Sequence, residues 1–543
     1  MKTKMFLRQQ SVGALLRVAA GLLTAGFSSA QVPCEQAILS HPLSGDGSFG
    51  QAVALDGDRL IVGAHSIFQS PGLVFIYDRA LAGWELSSTL QAPDWKIYDE
   101  FGWSAALAGN QVLVGRPNDG SLNSKGSVYA YQRQPSGTWL MTQKIANNKP
   151  GIWGFGWAMS IDGGRVAIGA KGASALSPRA RVYIFELENG LWVEKAEVGP
   201  SLDDNDDWFG ASVALQGDRL VVGAPQNGTG RAYIFDRQQS GAWVEQALLT
   251  PPLLPEDGTS PNTGVEYGRA VALDGDTVVV GAILYDAPVK NNGAAFVYRL
   301  GPSGWAVEQM LTPVMNFKIP AFGYSLSLSG DDLFVGAPQD FTTTGSSGFV
   351  YRFQRQGNTW QETAKFEGQG PFVSRNFGIV MARHGDQLAI SAPAQPSPFK
   401  GKVHLHALNP STQLTGLKSQ VSTSTGGSQP LQLAACPEHA GDLYLLLGSL
   451  SGTAPALPLG ALDLPLVPDA YTQFTLASPN SPFLPASIGQ LDPWGRADTS
   501  FRLPPGSAPS FVGQTAHHAF LVFDLANLAL ESVSNPTPVL LAP

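Results

Sequence analysis

Apolar and polar positions along residues 48–408 follow one pattern written out seven times. In each copy an aromatic–glycine pair opens an alternating run, a glycine turn breaks it, and a continuous apolar run follows. The copy at Phe49 reads FGQAVALDGDRLIVGAH. The aromatic stands at Phe49, Phe101, Phe155, Phe209, Tyr267, Phe322 and Phe377, so the unit recurs every 52 to 58 residues. Small residues alternating with apolar ones (Ala52 and Ala54 against Val53 and Leu55) predict a first strand, and the run Leu60-Ile61-Val62 predicts a second, more buried one. Between them lie Gly57, Gly109, Gly163, Gly217, Gly275, Gly330 and Gly385. Glycine accepts the positive φ that two-residue hairpins need. A third strand alternates aromatics, as in Phe75/Tyr77, Tyr129/Tyr131 and Tyr183/Phe185. A fourth starts at Trp84, Trp139, Trp192, Trp243, Trp305 or Trp360 and reaches an apolar residue six positions on. Four antiparallel strands in about 55 residues make one propeller blade.

The repeated phrases, such as FGASVALQGDRLVVGAP at Phe209, resemble the FG-GAP repeats of integrin α-subunit propellers and of many bacterial secreted proteins. The resemblance covers residues 32–408 and implies a seven-bladed β-propeller, in agreement with the all-β class that the strand pattern predicts. The seventh repeat lacks its Trp strand, because the chain passes from His404-Leu405-His406 into Asn409-Pro410. That would leave an open sheet edge. Glu35-Gln36-Ala37-Ile38-Leu39 matches Glu245-Gln246-Ala247-Leu248-Leu249 almost letter for letter, so the segment near residues 34–40 is expected to close the ring.

Residues 1–30 read as a secretory signal peptide with cleavage near Ala30: basic residues, a short apolar core, then small residues. A secreted or cell-surface protein is expected, with residues 31–408 as the propeller. The Ser/Thr/Gly-rich stretch 409–430 reads as a linker, and 431–543 as a small β-sandwich with strands at Leu443–Leu447, Tyr471–Leu476, Thr499–Leu503 and Ala519–Phe523. The cysteines are Cys34 and Cys436, and in an exported chain an even count favours a disulfide over two thiols.

Composition narrows the function classes. Of 543 residues only 14% are charged, while 61 are Gly and 40 are Pro, which suits turn-rich β structure. A net charge of −9, with no basic block past the leader, argues against nucleic-acid binding. A monomer without a membrane span is expected. There is no nucleophile elbow, Walker A loop or H-E-x-x-H motif. The G-x-G-x-x-G of Gly45, Gly47 and Gly50 straddles the first Phe-Gly pair with no helix pattern behind it, so it reads as a turn. His404 and His406 share one strand face and could ligate a metal, but they fill slots that hold aromatic rings in other repeats. His517 and His518 point to opposite faces of a strand.

Integrin propellers carry Asp-rich calcium loops between their first and second strands. Here those connections are tight turns (Asp56-Gly57, Ala108-Gly109, Asp162-Gly163), too short to wrap a cation. Asp203, Asn205 and Asp207 keep a D-x-N-x-D spacing, with Trp208 where a turn glycine would follow, and form the remaining calcium candidate beside the reading as a solvated acidic turn. No other cofactor is expected.

Aromatic residues supply a more distinctive clue. Trp95 and Tyr98 precede the second Phe-Gly pair, Trp153 the third and Trp208 the fourth, while Trp103 and Trp157 directly follow their pairs. Glu256 and Asp257 lie in the longest connection of this kind. Fourth-to-first-strand connections emerge on one propeller face, so these residues form a candidate ligand-binding rim. The competing reading packs the indoles between blades. Because of the rim's acids, neutral glycans or basic peptides are the expected ligands. The leading function is therefore an exported, non-catalytic binding or adhesion protein for an extracellular glycan or protein. The alternatives are a secreted polysaccharide- or phosphoester-acting enzyme and a structural component of an envelope or matrix.

Overall fold

The computed structural model describes residues 34–42, 48–65, 72–80, 83–96, 99–118, 125–147, 149–172, 180–202, 208–226, 229–252, 265–286, 292–313, 321–338, 348–367, 376–393, 401–408, 413–416, 420–435, 439, 441–459, 462–492, 495–507, 509–524 and 529–543. The chain divides into two compact units, residues 37–406 and a second that gathers residues 1–36 and 407–543.

Among the described residues the repeats form seven four-stranded sheets. Blade one comprises Ser48–Asp56, Arg59–His65, Leu73–Ala80 and Gly83–Leu90, paired antiparallel in that order. Blade seven has the order Cys34–Ser40, Lys402–Ala407, Gln387–Ala392, Met381–His384, so its outer strand comes from the segment before the first repeat. The first strands of successive blades touch in sequence: Ser48–Asp56, Ser104–Ala108, Phe155–Asp162, Ser212–Gln216, Tyr267–Asp274, Ser325–Ser329, Met381–His384, and back to Ser48–Asp56. This cyclic contact makes a propeller with the first strands innermost.

The two halves of the repeated phrase are two sides of one interface. Gly63 of blade one backs onto Gly102 of blade two so closely that a Cβ on Gly63 would run into the Gly102 carbonyl, and Gly169 meets Gly210 in the same way. The aromatic of each pair is buried and meets an aromatic on its own third strand: Phe101–Tyr129 at 5.5 Å, Phe209–Tyr233 at 5.3 Å and Phe322–Tyr351 at 5.5 Å between centroids. Edge-to-face packing of this kind adds about 1 kcal/mol per pair beyond area burial. In blade seven His404 occupies the slot, 5.1 Å from Phe377 at 83°. Its neighbour His406 packs edge-on against Phe366 at 5.0 Å. Both histidines serve as rings in the core.

At the far ends of the inner strands the turns are laced together. Asp56 accepts from the Gly109 amide (2.5 Å), Asp162 from Gly217 (2.6 Å) and Asp274 from Gly330 (2.5 Å). His384 of blade seven faces Asp56 of blade one at 3.2 Å. Arginines after the turns reach the next blade's fourth-strand indole: Arg59 over Trp139 (5.3 Å), Arg165 over Trp243 (5.7 Å) and Arg219 over Trp305 (5.1 Å). These three tryptophans each receive a cation from the preceding blade.

In the C-terminal unit one three-stranded sheet (Gln413–Gly416, Gly427–Ala434, Arg496–Leu503) and a larger sheet centred on Thr515–Asp524 contribute to a common core. Leu414, Leu431, Phe501, Phe520 and Val539 lie in it. The stretch 409–430, read as a linker, instead supplies strands Gln413–Gly416 and Gln420–Ser422 and the start of Gly427–Ala434. Its few apolar residues, Leu414 and Val421, are buried, and the polar remainder does not prevent backbone pairing. Tyr471–Leu476, expected as a strand, lies in the helix Ala470–Ala477. Asp469 caps it, accepting from the Thr472 amide while Thr472 Oγ1 accepts from the Asp469 amide at 3.2 Å. This reciprocal box starts a helix that alternation does not reveal. His518 is buried against Tyr471 (3.0 Å), and burial lowers its pKa to about 3, whereas His517 on the other face is half-buried. No helix among the described residues is long and apolar enough to cross a membrane.

The signal peptide, Cys436 and the Gly45/Gly47 turn lie outside the described residues, as does the side chain of Cys34.

Candidate functional site

A tight turn carries the chain into the first strand of blades two to seven. The amide of the residue after Phe-Gly donates to the carbonyl of the residue before it: Trp103 to Glu100 (3.0 Å), Trp157 to Gly154 (3.0 Å), Ala211 to Trp208 (2.9 Å), Arg269 to Glu266 (3.1 Å), Tyr324 to Ala321 (3.1 Å) and Ile379 to Asn376 (3.2 Å). Trp208 has a φ of 56°, uncommon for a bulky residue, but Glu266 (52°), Ala321 (67°) and Asn376 (64°) share it. The left-handed backbone therefore belongs to the repeat and is not peculiar to Trp208.

The residue after the aromatic–glycine pair stands at the same end of the inner-strand ring in each blade: Gln51, Trp103, Trp157, Ala211, Arg269, Tyr324 and Ile379. All seven are half-buried. Two adjacent pairs touch. The Trp103 and Trp157 rings lie 4.4 Å apart at 45°, and Arg269 stands 4.5 Å from the Tyr324 ring while donating to its hydroxyl at 2.5 Å. The ring is uneven in chemistry: an indole pair on blades two and three, a small residue on blade four, a cation and a phenol on blades five and six.

A second tier reaches the same mouth from the ends of second strands. His65 packs edge-on against Trp103 at 5.2 Å. Burial holds its pKa down to about 4, and its Nδ1 is buried without a hydrogen-bond partner. Lys171 follows the second strand of blade three, with Nζ 3.2 Å from the Trp157 centroid and 4.0 Å from that of Trp208. Burial and the charge of Arg269 lower its pKa to about 8, against a smaller opposing pull from Glu100. Burial in turn raises Glu100 above the usual carboxylate range.

The connection leading to Glu100 is held by a buried cation. Arg116 is 1% exposed and stands where other copies have Ala64 and Ala170. It meets the buried Asp99 at 3.3 Å, Asp94 at 3.3 Å and the Tyr129 hydroxyl at 2.7 Å. Burial alone would raise the Asp94 carboxyl, but bonds from Lys144 and Tyr129, with the charges of Lys144 and Arg116, hold it down to about 2. Asp99 also accepts from the Lys96 amide at 2.8 Å, fixing the loop that carries Trp95.

Of the rim residues expected from sequence, Trp103, Trp157 and, through Lys171, Trp208 come together at the mouth. Trp95 is 45% exposed and Trp153 half-buried, and neither ring joins that cluster. Tyr98, Glu256 and Asp257, together with the calcium candidates Asp203, Asn205 and Asp207, lie outside the described residues. Sequence reading passed over Lys171, His65, Arg269 and Tyr324. Their signal was a departure within a column: His65 and Lys171 stand where Pro225, Pro338 and Pro393 stand in other copies.

Among the described residues one other cluster has ligand-bearing side chains, in the C-terminal unit. His439 Nδ1 faces both Asp442 (3.1 Å) and Glu531 (3.3 Å).

The fold and the mouth define an all-β protein whose ring of blades presents side chains from repeated turns. Residues 84–131, 192–235 and 243–298 match the FG-GAP repeat family, so the chain carries FG-GAP repeats on a β-propeller. No curated protein matches it. Similar solved structures include a protein from Lactobacillus plantarum (13% identity, 58% of this chain and 84% of that one, TM-score 0.41). The periplasmic gluconolactonase of Pseudomonas aeruginosa is another (14% identity, 59% and 86%, TM-score 0.41). A third is a europium-containing methanol dehydrogenase (9% identity, 66% and 77%, TM-score 0.38).

Proposed function

We propose that this is an exported, non-catalytic binding protein that holds an extracellular glycan or protein in the mouth of its propeller. One observation carries the reading: the half-buried Trp103–Trp157 pair sits on the innermost ring, beside Lys171 and Trp208. Half-burial alone does not set them apart, because the fourth-strand indoles Trp139, Trp243 and Trp305 are half-buried too; their place on the innermost ring does. Partly open aromatic faces on a rigid scaffold suit sugar rings or a peptide anchor.

An enzyme of the extracellular polysaccharide class is the second reading, favoured by Glu100 and Lys171. Burial pushes the pKa of the acid up and that of the amine down, toward neutrality, as acid–base catalysts require. The test is a glycan and matrix-protein binding screen on the mature chain, with and without calcium, repeated with Trp103→Ala and Trp157→Ala. Specific binding lost in both variants, with no product formed from the bound glycan, supports a binding protein. Turnover that disappears in Glu100→Gln supports the enzyme.

A further inference from the structure

The mouth has an electrostatic asymmetry that the aromatic pair does not explain. Lys171 Nζ is enclosed by two indoles, and no described residue gives it a hydrogen bond or an ion pair. Indole faces attract a cation but replace water poorly. The neighbouring cation, Arg269, is held on one side by Tyr324, and its link to Glu266 is long, at 3.9 Å. Between Lys171 on blade three and Arg269 on blade five, the ring position on blade four is Ala211, the smallest of the seven side chains. Two cations thus flank the ring position that offers only a methyl group, and Arg269 makes the Lys171 charge more costly. Glu100 belongs to blade two, on the far side of Trp157 from Ala211 in ring order.

We propose that the ring position of Ala211 takes the anionic group of an acidic glycan, with Lys171 and Arg269 on either side of the carboxylate or sulfate and the Trp103–Trp157 pair beside the adjoining sugar ring. An anion there supplies the partner that Lys171 lacks, and the guanidinium offers a fork suited to two oxygens. Aromatic faces next to that charge select an acidic sugar over a small inorganic anion, which would leave the indoles uncovered. The expectation of neutral or basic ligands rested on Glu256, Asp257, Asp203 and Asp207, all outside the described residues. Between blades three and five the described ring carries Lys171 and Arg269 against the single acid Glu266. This inference rests on the proposed binding face and names its ligand chemistry.

The test uses the mature chain with three probes: oligogalacturonate, the same oligomer with its carboxyls reduced to alcohols, and a sulfated dextran oligomer. Binding to one or both acidic oligomers at least tenfold tighter than to the reduced one is expected, and the better acidic probe identifies the group. Lys171→Met and Arg269→Met should each weaken that binding at least tenfold while the melting curve stays that of a folded propeller. Lys171→Arg should retain it. If the reduced oligomer binds as well as the acidic ones and Trp103→Ala abolishes both, the binding face stands and the anion site falls. If no oligomer binds but poly-glutamate does, the glycan assignment falls. If binding is indifferent to Trp103→Ala, the binding face fails, and the anion site with it.

Discussion

Gly401, at the start of blade seven's third strand, backs directly onto the carbonyl of Phe49 in blade one. The contact joins the last repeat to the first. It repeats what Gly72 does to Phe101 and Gly348 to Phe377 between neighbouring blades. A Cβ on Gly401 would run into backbone that no rotamer change can clear.

Gly401→Ala is therefore expected to cost the propeller about 3 kcal/mol, at the upper end for overpacking. Gly57→Ala is the control. Gly57 has φ +58° and nothing within 4 Å of an added Cβ, so only left-handed strain, about 1 kcal/mol, applies. Chemical denaturation of both variants checks the difference. Equal losses would show that closure does not depend on this contact.

Arg116→Ala restores the residue type of other copies yet should destabilise by about 3–5 kcal/mol, because the buried Asp99 loses the cation that faces it. Adding Asp99→Asn should recover much of the loss. A double variant no more stable than the single one would mean that Arg116 contributes through packing alone.

His65 titrates in the fold near pH 4, below the ordinary 6.5. Between those values the unfolded chain binds the proton and the folded chain does not, so stability is full above pH 6.5 and falls toward pH 4, by about 3 kcal/mol for this group. Calorimetry from pH 7 to 4 should show a smaller loss in His65→Phe than in the unaltered chain. His518 adds a similar fall in the C-terminal unit.

Ligand affinity carries its own pH signature. Lys171 in the free protein loses its proton near pH 8, and a bound anion favours the charged form. Affinity for an acidic oligomer should accordingly fall as pH rises above about 8, where an ordinary lysine would still be charged. Lys171→Arg should flatten the profile over pH 7–10. Titration calorimetry reads both, and a profile already flat in the unaltered chain would remove Lys171 from the site.

The architecture was legible in the chain because its cause is local and repeated. Phe-Gly and the later glycine of the copy before it, replaced by Ser391 in the last copy, are two halves of one packing contact, so seven copies state one interface seven times. The match of Glu35–Leu39 to Glu245–Leu249 likewise pointed to the outer strand of blade seven, because equivalent strands need equivalent alternation. Trp103 and Trp157 were visible as departures within a column. Other features needed the fold. Pairing of Gln413–Gly416 and capping of the helix at Asp469 depend on partners far away or on a side-chain box that period-two alternation conceals. The mouth depends on it most. Lys171, Arg269 and Tyr324 are separated by tens of residues or more, and only ring closure brings repeated turns to one end of one axis. Burial then sets the charge balance there, and burial is a property of the packed ring, absent from any single repeat.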